Sequence, residues 1–230
     1  MRSRSFTTFL FLINLSAAAD GGKDAVLARM DKAAGEFKNM TARITSMVHT
    51  DVLNDNTSET GTAVMKKVAV GQVQGLINFP APDQRTYSFE NRRLRIYYPK
   101  INTVQVFDLG KDGEQLDQFL MIGFGTSGTA LAKDYDVSVF GTEKVKGFEN
   151  VPTIGLRLIP KTAEARKYVK QVELWLPATG DPYPIQEKIS APSGDYRVIT
   201  YTDLKTNQPL PPDALQLKTA LGFKTEYPGK

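Results

Sequence analysis

The chain has 230 residues, of which 41% are hydrophobic and 23% charged, and this composition suits one folded domain with its own core. It contains no cysteine and one histidine, His49, which excludes disulfides, cysteine nucleophiles and zinc sites built from histidine and cysteine. Lysine and arginine number 29 against 25 for aspartate and glutamate, and the net charge of +4 gives little support for a nucleic-acid partner. We therefore expect no enzymatic activity, cofactor, metal or nucleic-acid partner, and we interpret His49 as a surface residue.

The N-terminus has the pattern of a secretory leader. Two arginines are followed by an apolar run at positions 6–15 and by three alanines that end at Ala19. The apolar run is about ten residues long, half of what a membrane-spanning helix needs. We interpret residues 1–19 as a signal peptide cleaved near Ala19, and residues 20–230 as one domain that is exported to the periplasm.

The exported part begins with a helical pattern and continues with a pattern of strands. Apolar residues three and four apart predict an amphipathic helix at Asp24–Phe37. From Ala42 onward, apolar residues recur at every second position in short runs between turn residues, as in antiparallel strands with one buried face. We predict roughly ten strands in one sheet, the last of them around Leu215 and Leu217.

The clearest strand pair flanks a reversal at 177–182, where prolines and a glycine interrupt the alternation. Pairing centred on this reversal sets Val172 opposite Ile189 on the apolar face. It sets Glu173 opposite Lys188 on the solvent side, as an exposed ion pair of little energetic weight. Burial of the apolar face therefore dominates the stability of this hairpin.

A segment of different character interrupts the strands after Leu109. Apolar residues at 116–122 predict a short helix, and a glycine-rich stretch ends it. This stretch lacks the lysine of a phosphate-binding P-loop, so we set that function aside. We predict that Leu116–Phe124 forms a mobile cover over the sheet. The glycines on which it would swing are Gly123, Gly125 and Gly128.

The order and spacing of several short motifs resemble the LolA family of outer-membrane lipoprotein carriers and its wider lipoprotein-sorting branch. The motifs cover most of the exported chain. They are Phe37–Met40, Leu94–Pro99, Ile122–Gly128 with Tyr135–Val137, Val172–Leu176, Pro184–Gln186 and Tyr201–Asp203.

This resemblance implies a mainly β fold with a few α-helices, in which a single antiparallel sheet curls into a half-open barrel covered by helices, as in LolA, LolB and LppX. It implies a monomeric carrier of acylated lipoproteins or lipids. Its partners would be an inner-membrane release complex and an outer-membrane acceptor. Family members have an Arg-Pro after the second strand, with the arginine linked to closure of the lid. This chain has Lys66-Lys67-Val68 there, so Lys67 is the expected counterpart.

An independent physical argument also favours a carrier. Each buried methylene contributes about 0.8 kcal/mol, so exposing an acyl chain of about 14 methylenes costs roughly 11 kcal/mol. A carrier in water must therefore offer an apolar interior of its own. We predict that this interior is lined by Ile44, Val48, Ile77, Phe89, Leu94, Ile96, Val104, Val106, Leu120, Phe124, Leu156 and Leu174.

Alternatives remain open at this point. The same fold suits a carrier of free lipids or glycolipids, or an envelope-stress sensor domain that binds lipoproteins and signals through a protein partner. Trp175 alternates with polar residues, so it lies either at a cavity mouth or partner surface, or in an ordinary structural position. Two basic groups, at 161–170 and 92–95, either form a rim for anionic head groups or only keep the hairpin ends soluble.

Overall fold

The protein folds into one large open sheet of twelve strands with helices packed on one face. The structure is a computed structural model that describes residues 16–69, 72–110, 120–141 and 144–228. The predicted fold class is confirmed, since the chain is mainly β and its sheet is not closed into a barrel. The sheet is mixed, however, because its last strand runs parallel to its neighbour.

Within these described ranges, three α-helices and twelve strands form the two layers. The helices are α1 Ser16–Glu36, α2 Gly128–Asp134 and α3 Ala163–Arg166. The strands are β1 Asn39–Thr50, β2 Asp55–Ala69, β3 Gln72–Phe79, β4 Arg85–Glu90, β5 Arg93–Tyr98, β6 Thr103–Asp108, β7 Tyr135–Phe140, β8 Thr153–Pro160, β9 Gln171–Pro177, β10 Gln186–Ser190, β11 Tyr196–Thr206 and β12 Lys224–Glu226. Short 3-10 turns at Asp51–Leu53 and Pro99–Ile101 end β1 and β5.

The chain forms the two halves of this sheet in opposite directions, the first from the centre to one edge and the second from the other edge back to the centre. From β1 it meanders to β6, then passes to the opposite edge at β7 and meanders back to β11, which pairs with β1. The sheet therefore has a β1–β6 half and a β7–β11 half, which meet at the β1–β11 pair. The connection from β6 to β7 must cross from one edge to the other, and its described part, residues 120–134, packs on the helix-covered face.

The predicted hairpin register is confirmed. Val172 lies opposite Ile189, and Glu173 lies opposite Lys188. The prediction of an exposed ion pair was wrong. Glu173 is only 7% exposed, and its Oε1 accepts a 2.9 Å hydrogen bond from Nη2 of Arg157 on β8. That side of the hairpin is covered by a small second cluster on the outer face, so it is not a solvent face.

This outer cluster settles the position of Trp175. The indole is 6% exposed and meets the ring of Phe140 edge to face, with 5.4 Å between centroids. Val145 and Ile185 complete the cluster. Trp175 is therefore in an ordinary structural position, where an aromatic pair of this geometry contributes about 1 kcal/mol beyond its buried area.

The C-terminal segment differs from the prediction of a last strand at Leu215 and Leu217. Residues 207–223 are irregular, and β12 follows them as a short parallel partner of β6. The segment runs along β5 and β6, where the amide of Ala220 donates a 3.0 Å bond to the hydroxyl of Tyr97. The alternation of the two leucines thus reflects partial burial against this surface and not strand pairing.

The N-terminal predictions are only partly covered by the structure. The predicted helix is present as α1, which begins eight residues earlier than expected, at Ser16. Residues 1–15 lie outside the described residues, so the signal peptide stays a prediction. Within the described ranges, no helix combines the length and the apolar character that a membrane span requires.

Candidate functional site

The face of the sheet under α1 and α2, here called the inner face, is the candidate site. Strand register identifies its side chains, because residues directly opposite each other on paired strands point to the same face. One row across the sheet passes through Ala63, Ile77, Tyr87 and Ile96. A parallel row closer to the β1–β2 turn passes through Glu59, Ser46, Ile199, Glu187 and Leu174.

Most of the predicted lining residues lie on this side of the molecule, but two do not. Val104 and Val106 lie opposite Tyr97 and Arg95, on the outer face, so they are removed from the predicted interior. Val104 is nevertheless only 3% exposed, because the C-terminal segment runs along this part of the outer face. The residues that register or packing places on the inner side are Ile44, Val48, Ile77, Phe89, Leu94, Ile96, Leu120, Phe124, Leu156 and Leu174.

In the β7–β11 half, the helices cover the inner face of β8 and β9. Val26 and Met30 of α1 and Leu131 of α2 pack on a layer of strand side chains that includes Leu156 and Leu174. Both of these leucines have no exposed surface. This half is a packed core, where side chains of the protein occupy the space that an acyl chain would need.

An aromatic group lies between α1 and the sheet where the two halves meet, and Tyr183 and Tyr201 of the β7–β11 half belong to it. Phe37 follows the end of α1, and Phe124 belongs to the connection from β6 to β7, here called the crossing segment. Their ring centroids are 6.4 Å apart, and Phe124 stacks on Tyr183 at 6.1 Å and meets Tyr201 edge to face at 4.9 Å. Ile77 and Tyr87 at the border of this cluster are only partly buried. The apolar inner face here is covered at one side and accessible at the other.

The predicted cover is only partly within the described residues, since Leu116–Phe119 fall outside them. Residues 120–125 form turns closed by bonds to the carbonyl of Met121. Gly123 has φ +82°, and a Cβ there would lie 2.7 Å from Cγ of Pro184. A Cβ on Gly125 would lie 2.6 Å from Cε of Met121. Because neither glycine has a Cβ, the chain packs closely against Pro184 and Met121 at these two positions. Their role as hinges stays a prediction.

Lys67, the predicted lid residue, contacts the last turn of α1. Its Nζ donates a 3.0 Å bond to the carbonyl oxygen of Ala34 in the last turn of the helix. A cation at this position satisfies a free carbonyl and interacts favourably with the helix dipole. Lys67 therefore ties α1 to β2, and its part in lid control stays a prediction.

A cleft of about 720 Å³ opens at the end of the inner face where β1 and β5 end and β2, β4 and β11 begin. Its lining combines charged and polar side chains with apolar surface. The lining residues are Ser46, Val48, Thr57, Ser58, Glu59, Pro82, Asp83, Gln84, Arg85, Tyr98, Lys100, Ile101 and Arg197. The cleft lies next to the apolar inner face, and the predicted lipid-binding interior stays a prediction.

An ordered ion pair forms one wall of the cleft. Nη2 of Arg85 lies 2.7 Å from both carboxylate oxygens of Glu59, and both side chains are less than one-fifth exposed. Nε of Arg85 donates a 2.7 Å bond to the hydroxyl of Tyr87, and the guanidinium lies 4.9 Å from the ring centroid of Phe79. The pKa of Arg85 is raised, because these bonds together outweigh the cost of burying the cation. The wall is rigid and nearly neutral.

Two buried polar atoms on the inner face have no partner among the described residues, Oγ of Ser46 and Oε1 of Glu187. Both belong to the same cross-strand row and lie two strands apart. Burial raises the pKa of Glu187 to about 8, against a smaller lowering effect of its hydrogen bond with Tyr201. A carboxyl group in this setting is neutral at pH 7 and can donate a hydrogen bond.

The sequence analysis missed Glu59, Ser46, Arg85 and Glu187. A usable signal existed for Glu187, which occupies an apolar position of the alternation between Ile185 and Ile189. A carboxylate at such a position must be buried or must end the strand. The role of Arg85 depends on pairing across β3, which the sequence does not show.

Known structures with a similar backbone were found, whereas no protein-family model and no curated protein sequence matches the chain. MucB aligns with 89% of this chain and 64% of its own, at a TM-score of 0.51 and 17% identity. The Mycobacterium tuberculosis lipoprotein LppX aligns with 84% of this chain and 99% of its own, at 0.50 and 13% identity. The protein shares the fold of LppX and MucB.

A LolA superfamily protein from Nitrosomonas europaea also aligns, more weakly, with 82% of this chain and 94% of its own, at a TM-score of 0.39 and 11% identity. At such low identities these likenesses describe the fold alone, because one fold can serve several functions.

Proposed function

We propose that this protein is a carrier that shelters acyl chains on the inner face of its sheet, between the strands and a cover made of α1 and residues 120–125. The observation that carries the proposal is the partly covered apolar surface of the β1–β6 half. There Ile77, Tyr87 and Ile96 form a continuous row that the helices leave accessible. Moving the cover would extend this row toward the β7–β11 half.

The finer function that we propose is transport of acylated lipoproteins from the inner to the outer membrane. A protein with this role would cross the periplasm, receiving its cargo from an inner-membrane release complex and passing it to an outer-membrane acceptor. The LolA-like fold supports this role, and so does the energy of roughly 11 kcal/mol that sheltering one acyl chain saves. If this protein is purified from its native host and an acylated protein is found bound to it, that result would support this finer role.

Other bound material would redirect the proposal. Free lipid without protein would favour a lipid carrier. A protein partner bound without any lipid would favour the sensor alternative. Mass spectrometry of both the organic extract and the intact complex distinguishes these results in one preparation.

A pair of charge substitutions tests the site directly. Ile96→Glu places a carboxylate on the inner face, where a bound acyl chain would bury it without a partner. We expect it to lower the affinity for a fluorescent fatty acid at least tenfold, because burying an unpaired carboxylate, or protonating it first, costs more than the ~1.4 kcal/mol of a tenfold change. Val106→Glu is the matched control, because Val106 is similarly half-buried but lies on the outer face. Equal affinities of the two variants would contradict the proposal.

A further inference from the structure

The polar cleft at the end of the inner face is the part of the molecule that an acyl-chain carrier does not by itself explain. Its volume of about 720 Å³ falls in the range of small-molecule sites. It holds both acidic and basic side chains, Tyr98 and several hydroxyls. Such a lining suits an amphiphile, whose polar head would meet the charged side chains while its apolar part meets the apolar surface.

The charges of the cleft do not balance. The lining contains three cations, Arg85, Lys100 and Arg197, and two carboxylates, Glu59 and Asp83. Arg85 is held by Glu59, and Nζ of Lys100 lies 3.6 Å from Asp83. Among the described residues, Arg197 is left without a carboxylate within ion-pair distance. The cleft therefore has one unmatched positive charge, and this charge is exposed to the cavity.

A second observation points to a ligand in the same place. Ser46 lines the cleft and is only 2% exposed, yet its Oγ has no partner among the described residues. A buried hydroxyl normally has a hydrogen-bond partner, so an unpaired one calls for an unseen group. Ser46 neighbours Val48, which lies opposite Arg197 on the same face.

The surface changes from polar to apolar along the strands. From Ser46 the next inner residue of β1 is Ile44, and from Arg85 the next inner residue of β4 is Tyr87. A molecule with a polar head in the cleft would thus direct its tails parallel to the strands, toward the row that contains Ile77. The arrangement suits an amphiphile that lies along the strands.

We propose that the cleft binds the anionic phosphodiester head group of a lipid, with Arg197 as its counter-ion and Oγ of Ser46 as a hydrogen-bond partner. This inference rests on the proposed shelter for acyl chains and favours free lipid as the cargo, because the anchor of an acylated lipoprotein has no phosphodiester. The Arg85–Glu59 pair is the fixed wall against which the head group packs. Arg197 itself is exposed and unpaired among the described residues, so it can reach the phosphate without breaking an existing ion pair.

Calorimetric titration with short-chain lipids of equal tails tests this inference. The probes are dihexanoyl phosphatidylglycerol, the neutral dihexanoyl glycerol, and glycerol phosphate, which has no tails. We expect phosphatidylglycerol to bind about tenfold more tightly than the neutral lipid, the gain of one charge-assisted hydrogen bond. Arg197→Gln should remove this difference and leave the affinity for the neutral lipid unchanged.

Two further variants control for indirect effects. Arg43→Gln changes an exposed arginine on the outer face of β1 and should alter neither affinity. Ser46→Ala should lower phosphatidylglycerol affinity about threefold, the loss of one neutral hydrogen bond, while the thermal midpoint stays equal or rises. A lowered midpoint for Ser46→Ala would show that the hydroxyl has a structural partner and would remove it from the site.

The outcomes separate the two proposals. Equal affinities for the charged and neutral lipids, unchanged in Arg197→Gln, would overturn the head-group site and leave the carrier function standing. Failure of both lipids to bind would overturn both. Glycerol phosphate that binds as tightly as phosphatidylglycerol would show a site for a soluble phosphate compound and would overturn the lipid head group.

Discussion

The two halves of the sheet present similar apolar side chains to the inner face but are covered to different degrees. In the β7–β11 half, α1 and α2 leave Leu156 and Leu174 with no exposed surface. In the β1–β6 half, Leu94 and Ile96 remain partly exposed. Phe79 and Phe89 of the β1–β6 half are buried as well, so the accessible apolar surface of that half is the part that lies toward β5. What separates the halves is the position of the helices, which pack mainly beside β7.

This difference assigns stability and binding to separate regions. Substitutions in the packed half should change the free energy of unfolding, because they leave cavities in a dense core. Substitutions in the accessible half should change ligand affinity, because water already reaches those side chains. The predictions below compare the two regions, beginning with the largest expected effect.

The first prediction compares two leucines on the inner face. Leu174→Ala should lower the free energy of unfolding by roughly 2 to 5 kcal/mol, the cost of a cavity at a fully buried site. Leu94→Ala should cost about 1 kcal/mol, because its side chain keeps part of its exposure to water when folded. Urea denaturation of both variants measures the difference. Equal losses would show that the β1–β6 half is packed as tightly as the other.

The second prediction concerns Glu187, near the boundary of the halves. Its pKa is about 8 in the folded protein against an ordinary value of 4.5, so the folded state holds a proton that the unfolded state releases. Stability should be constant below pH 4.5, fall as the pH rises from 4.5 to 8, and level off above that. Glu187→Gln should remove this slope and raise stability at pH 8 by about 4 kcal/mol, because each unit between the two pKa values is worth about 1.4 kcal/mol. Denaturation across this pH range measures both curves, and a slope that persists in the variant would contradict the assignment.

The third prediction concerns the anchor of α1 in the packed half. Arg29 donates bonds of 2.8 to 2.9 Å to the carbonyls of Pro177, Ala178 and Gly180 in the β9–β10 loop. Arg29→Met should lower stability by about 1 kcal/mol, because the site is partly exposed and water replaces some of these bonds. It should also speed the uptake of a fluorescent fatty acid. Lys32→Met, an exposed position of the same helix, is the control, and uptake rates that match it would show that α1 does not limit entry.

The smallest effect is expected at the anchor in the accessible half. Lys67→Met removes the bond to the carbonyl of Ala34 and should cost about 0.5 kcal/mol. Lys66→Met is the control, because Lys66 is exposed and adjacent on the same strand. Thermal unfolding measures stability, and stopped-flow uptake tests the predicted lid role. If the uptake rates of Lys67→Met and Lys66→Met are equal, Lys67 does not control the lid.

Local patterns predicted the strands and the β9–β10 register, because alternation and turn residues act over a few positions. They did not predict which face of β6 is inner, since Val104 is buried by a C-terminal segment more than one hundred residues away in the chain. They also missed the Arg85–Glu59 pair, which joins side chains on β2 and β4 across β3. Such contacts depend on sheet order, which a single sequence does not specify.

The close approach of α2 to α1 limits how the protein can open. A Cβ on Gly128 would lie 2.6 Å from Cα of Leu27, and Thr129 donates bonds of 2.9 and 3.0 Å to the carboxylate of Asp31. With so little space between them, the two helices would have to travel as one body. A spin label on the exposed side of α2 would then report the displacement of α1 as well, and any cargo would enter beside this pair and never between its members.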